Sequence, residues 1–77
     1  MNEQEQRVRA RVVELLLNRF GRVDEQLMRA GILDSLRTIE LALDLEMEFH
    51  IRLDQLTVQD TVTLTGLTKR LIELGAQ

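Results

Sequence analysis

The sequence predicts an all-α fold, a small four-helix bundle with three main helices and one short one. Three observations carry that expectation. Apolar residues recur at steps of three and four in three separate stretches, each with capping residues at its ends. Proline is absent, Phe20 and Phe49 are the only aromatics, and aliphatic residues dominate, which suits helix packing and suits a β-sandwich poorly. Cysteine is absent, so neither disulfides nor a thiolate metal site supplements the core. The 77 residues read as one domain, 1–77. A chain of that size buries only about 60% of its unfolded surface. Helix packing and good caps must therefore supply the stability.

The first helix begins after Asn2, a capping residue, with Glu3 and Glu5 in the turn where the macrodipole favours acids. Val8, Val12, Leu15, Leu16 and Phe20 form its buried stripe, which Val13 and Leu17 widen. Arg7, Arg9, Arg11 and Arg19 spread over its other faces, and Gly21 ends it. Residues 21–34 form a connection that is long for a small domain, and such loops are more often functional. A single turn is expected at Asp24–Met28, with Leu27, Ile32 and Leu33 pinning the loop to the core.

The second helix runs from Ser35 to Phe49 or His50, with Asp34 as its cap. At 100° per residue, Leu41, Ala42, Leu45 and Phe49 cluster on one side with Thr38. Leu36, Leu43 and Met47 lie nearly opposite, with Ile39 at their margin, and Arg37, Glu40, Asp44 and Glu48 fill the flank between. A helix in a small bundle needs one apolar stripe, and this one has two. The second is either buried, as in larger proteins, or an exposed docking surface.

From Ile51 to Thr63 the pattern is short and broken. Ile51 and Leu53 tuck into the core, Asp54 caps a turn, and Leu56 with Val58 anchors a brief helix. Thr63 caps the last helix, whose Leu64, Leu67, Leu71 and Leu74 step by three and four until Gly75 ends it. Gly66 in its first turn weakens it slightly.

The net charge of -3 is unevenly spread. Asp34, Glu40, Asp44, Glu46, Glu48, Asp54 and Asp60 face only Arg37 and Arg52 in the middle third, while the segments on either side are slightly basic. An acidic middle repels nucleic acid and favours a basic protein partner, unless it is simply a solvated face. No apolar run approaches the ~20 residues that span a bilayer, so membrane insertion is not expected. The polar N-terminus does not read as a signal peptide, and the expected location is the cytoplasm.

Ser35 is the only serine, and it stands in Gly31-Ile32-Leu33-Asp34-Ser35-Leu36 at the mouth of the second helix. As a nucleophile it needs a base within hydrogen-bond reach. The only histidine, His50, lies fifteen positions on. Along a continuous helix that is roughly 22 Å, which excludes a Ser–His pair. One histidine with scattered acids makes a poor transition-metal site, and no Gly-rich phosphate loop occurs. No catalytic residue and no metal site is expected. A helix N-terminus holds a phosphate well, so Ser35 is either an ordinary companion of the cap or a modification site.

That stretch, followed by Thr38-Ile39-Glu40-Leu41 and Leu45-Glu46-Met47-Glu48-Phe49, resembles the acyl carrier protein family. The resemblance extends over almost the whole chain, through the long first loop to Val62-Thr63-Leu64. It implies an acyl-carrier-type four-helix bundle whose Ser35 receives 4′-phosphopantetheine from coenzyme A, placed by a phosphopantetheinyl transferase with magnesium. The arm's thiol would carry an acyl or aminoacyl group as a thioester, which gives a cysteine-free chain its thiol chemistry. Asp34 and Leu36 match the residues that flank the family's serine. The second helix is the family's recognition helix, which makes Arg37, Ile39, Glu40, Leu43, Glu46 and Met47 the partner contacts. The implied partners are the transferase, an acyl- or aminoacyl-activating ligase, and acyl-transferring or condensing enzymes, met by a monomer.

Arg37 directly after the motif, Met47 between Glu46 and Glu48, an arginine-rich first helix and Leu53-Asp54 in place of a proline depart from fatty-acid carriers. The motif looks more like stand-alone carriers for amino acids, D-alanine or specialised metabolites. Two other classes compete with a carrier: an unmodified helical interaction domain of the same fold, and a small nucleic-acid binder suggested by Arg7, Arg9 and Arg11.

Overall fold

Side-chain caps set the frame of the computed structural model, which describes residues 2–77. The Asn2 side chain accepts from the Glu5 amide at 2.8 Å and opens α1, Glu3–Phe20. Gly21, at φ 75°, closes it with its N–H on the Leu17 carbonyl at 2.9 Å, a left-handed end that glycine adopts without a Cβ clash. Asp34 accepts from the Arg37 amide at 2.8 Å and opens α2, Ser35–Phe49, which His50 ends at φ 55°. Val58–Thr61 form a single 3-10 turn. Thr63 accepts from the Gly66 amide at 3.0 Å and opens α3, Leu64–Glu73. No strand occurs among the described residues. The three main helices and the short one stand where the sequence places them.

Gly66 does more than weaken α3. A Cβ there would stand 2.9 Å from the capping Thr63 hydroxyl, so the glycine leaves room for the cap.

The core draws on all three main helices. Val8, Val12 and Leu16 of α1 meet Leu41 and Leu45 of α2 and Leu64, Leu67 and Leu71 of α3, with Leu53 below them. Each such side chain contributes about 1.5–3 kcal/mol on leaving water. Helix α1 packs against α2 and α3, and the 3-10 turn touches both α2 and α3.

Two apolar assignments fail. Leu17, read as widening the buried stripe, is 45% exposed, because the α1 stripe is narrower than the sequence suggests. Val58, read as an anchor, is 57% exposed; buried Thr61 holds the turn instead, its hydroxyl donating to the Val58 carbonyl at 2.8 Å. Capping there falls to Asp60, which accepts from the Thr57 amide and hydroxyl at 3.0 and 3.1 Å, and not to Asp54.

The long connection is pinned as expected by buried Leu27, Ile32 and Leu33, but its turn falls at residues 27–31, later than Asp24–Met28. Asp24 is why. Its carboxylate accepts from the Gln26 amide at 2.9 Å, a local bond that competes with helical winding. Glu25 then ties the connection to α3, accepting from the Thr65 amide at 3.0 Å and from Arg9 at 3.1 Å. Partial burial pushes the Glu25 carboxyl up, but bonds from Thr65 and the Arg9 guanidinium outweigh it and hold the group below its ordinary range.

Candidate functional site

Ser35 is the first residue of α2, and it is exposed, as are Asp34 before it and Leu36 after it. Asp34 serves as the cap, so its carboxylate is engaged with the Arg37 amide. The main-chain N–H groups of Ser35 and Leu36 lie in the first turn, where no helical carbonyl precedes them. They face the same direction as the positive end of the helix dipole, a setting that favours an added phosphate on the neighbouring hydroxyl. Helix α2 is continuous from Ser35 to Phe49. His50 therefore stands at its far end, roughly 22 Å from the serine at 1.5 Å per residue, beyond reach as a base.

The approach to Ser35 is the turn at residues 27–31. The Ala30 amide donates to the Gln26 carbonyl at 2.8 Å, and Ile32 and Leu33 both donate to the Leu27 carbonyl at 3.0 Å. Gly31 takes φ 75°, the left-handed step that ends a helical turn. Three successive carbonyls then point outward. Arg22 donates to Ala30 at 2.9 Å, while Arg37 donates to Gly31 at 3.0 Å and Ile32 at 3.4 Å. The Arg37 guanidinium also lies over the Phe20 ring, 5.7 Å from its centroid.

The residues nominated for partner contact divide into two groups. Ile39, Leu43 and Met47 are exposed at 61, 58 and 77%, and Leu36 joins them at 66%. They form the second stripe, on the side of α2 away from buried Leu41 and Leu45. Arg37, Glu40 and Glu46 are each engaged within the chain. Glu46 accepts from the Leu53 amide at 3.0 Å and fastens the chain leaving α2. Glu40 pairs with Arg19 of α1 at 3.3 Å.

That last pair belongs to a row that sequence reasoning missed. Arg19 also grips Asp44, and Arg11 grips Glu48, so α1 and α2 run antiparallel with charges clasped along their seam. The Glu48 carboxylate, by hydrogen bond and then by charge, holds the Arg11 guanidinium above its ordinary range. Asp44 does the same for Arg19. With Asp60 paired to Arg70 at 3.5 Å, four of the seven acids of the middle third are matched by this chain's own arginines. The signal was present as complementary spacing, with arginines eight apart on α1 and acids four apart on α2.

Among curated proteins, the chain is similar to the D-alanyl carrier proteins of three strains of Streptococcus thermophilus. Each is 42% identical over 50 residues, an alignment covering 58% of this chain and 63% of the relative. The chain thus spans less than two thirds of the length of the relatives it matches. No family model matches, and no solved structure matches. The similarity supports the carrier-protein family, and the relatives' name is that of a carrier and not of an enzyme.

Proposed function

We propose, from that similarity to carrier proteins, that the chain carries an acyl or aminoacyl group as a thioester on a 4′-phosphopantetheine arm attached to Ser35. One observation supports this above the others: the only serine in the chain is exposed at the first turn of a capped helix, remote from the only histidine. That position offers main-chain donors to a phosphodiester and offers no base for hydrolysis. Asp34 shapes the turn and Leu36 flanks it, as a modifying transferase would meet them. Such an enzyme has the Ser35 oxygen, losing its proton, attack the pantetheine-side phosphorus of coenzyme A, which breaks the pyrophosphate bond, releases adenosine 3′,5′-bisphosphate and leaves a phosphodiester on the serine.

The relatives' name favours an aminoacyl cargo, with D-alanine the first to test. A ligase that activates the cargo and an enzyme that takes it onward are then the partners. Leu36, Ile39, Leu43 and Met47 are the surface we assign to them. No described helix is long and apolar enough to cross a membrane.

Intact mass after incubation with coenzyme A, magnesium and a broad-specificity phosphopantetheinyl transferase tests the reading. A single phosphopantetheine-sized gain is expected, absent from Ser35→Ala. A gain that survives Ser35→Ala overturns Ser35 as the attachment site, and no gain overturns the carrier reading in favour of an unmodified interaction domain, which the exposed stripe on α2 would also suit.

A further inference from the structure

We propose that Arg37 is a positioning residue for the modification of Ser35, acting through the backbone of the approach turn and not by touching a partner. The inference rests on the reading of Ser35 as the attachment site. Its physical basis is the end of the turn at residues 27–31. A helical turn leaves its last carbonyls without helical partners, and cations near them are favourable. Here the left-handed Gly31 ends the turn, and the carbonyls of Ala30, Gly31 and Ile32 accept from Arg22 and Arg37. Arg37 supplies two of those three bonds from one nitrogen, Nη1.

Arg37 also sits in α2 itself. Its main-chain N–H is the donor that Asp34 caps, while its side chain reaches back to the turn and over Phe20 at the end of α1. One residue therefore joins three pieces: the last residue of α1, the turn before the motif, and the first turn of α2. Ser35 lies between its two sets of contacts, with Leu33 and Asp34 as the only residues separating it from the bridged carbonyls. With the guanidinium gone, the Gly31 and Ile32 carbonyls lose their donor and the Gly31–Asp34 segment gains freedom. A modifying enzyme must then order that segment before the Ser35 oxygen meets the phosphorus of coenzyme A, which raises KM for the carrier more than it lowers kcat.

Lysine separates this role from charge recognition. It keeps the positive charge but lacks the planar guanidinium, which lies over the Phe20 ring while its Nη1 reaches both carbonyls. The experiment compares wild type, Arg37→Ala and Arg37→Lys, with Leu43→Asp as an outward-face control. The first readout is the rate of phosphopantetheine transfer from coenzyme A, and the second is hydrogen exchange at the Ile32 and Leu33 amides without any enzyme. We expect kcat/KM to fall about tenfold in both Arg37 variants, mainly through KM, with several-fold faster exchange at those two amides. Leu43→Asp is expected to leave that exchange unchanged. Full rescue of transfer by Arg37→Lys overturns the proposal in favour of a charge read by the enzyme. Unchanged exchange in Arg37→Ala overturns it as well. If wild type itself gains no phosphopantetheine, the carrier reading fails, while the exchange measurement still judges whether Arg37 orders the turn.

Discussion

The two apolar faces of α2 use the same residue types for opposite ends. Leu41 and Leu45 point inward and are almost wholly buried, while Leu36 and Leu43 point outward with Ile39 and Met47 and stay largely in water. What separates them is the charged flank. Burial of Leu41 and Leu45 sets how α2 is rotated against α1, and Arg19 and Arg11 clasp Glu40, Asp44 and Glu48 along the seam. With that rotation fixed, no element among the described residues covers the second stripe. An apolar surface held outward in this way is what we propose a partner enzyme covers.

The comparison breaks most readily at Leu45. Leu45→Ala removes a fully buried side chain and is expected to cost about 2–5 kcal/mol, read by chemical denaturation. Any loss of partner reaction in that variant tracks the unfolded fraction. A smaller effect, of opposite sign, is expected at Thr38 on the inward flank. Its hydroxyl oxygen is buried without a hydrogen-bond partner among the described residues. Thr38→Val retains the branched shape and removes that oxygen, so stability rises by about 1 kcal/mol in the same titration. The smallest change in stability, within about 0.5 kcal/mol, is expected for Leu43→Asp or Met47→Lys. Those two substitutions nevertheless lower reaction with a loading ligase about tenfold or more, as loss of an anchor in a contact surface does. If Leu43→Asp destabilises the fold as Leu45→Ala does, the two faces are not distinct.

Much of this architecture is legible in the residues because helix ends are chemically marked. Asn2, Gly21, Asp34 and Thr63 announce their boundaries, and the angular split of α2 follows from 100° steps alone. What the residues do not reveal is how one helix is turned against another. Glu40, Asp44 and Glu48 read as solvated acids because their partners lie 21 to 37 positions away on α1. Arg37 and Glu46 read as partner contacts, and their bonds within the chain go unseen, since a side chain that bonds a loop carbonyl or amide leaves no periodic trace. Leu17 and Val58 show the converse error: an apolar residue in register with a stripe is not thereby covered.

The tethering of Ala30, Gly31 and Ile32 also bears on portability. The stretch Gly31–Leu36 is short enough to graft onto another scaffold, yet its shape is held by groups outside it: Arg22, Arg37, the Phe20 ring and buried Leu27. A graft of those six residues alone would bring the chemical label without its mould. A transplant spanning residues 20–37 would carry the label with Arg22, Arg37 and Phe20, and would still need a host core for Leu27 and partners for Glu25.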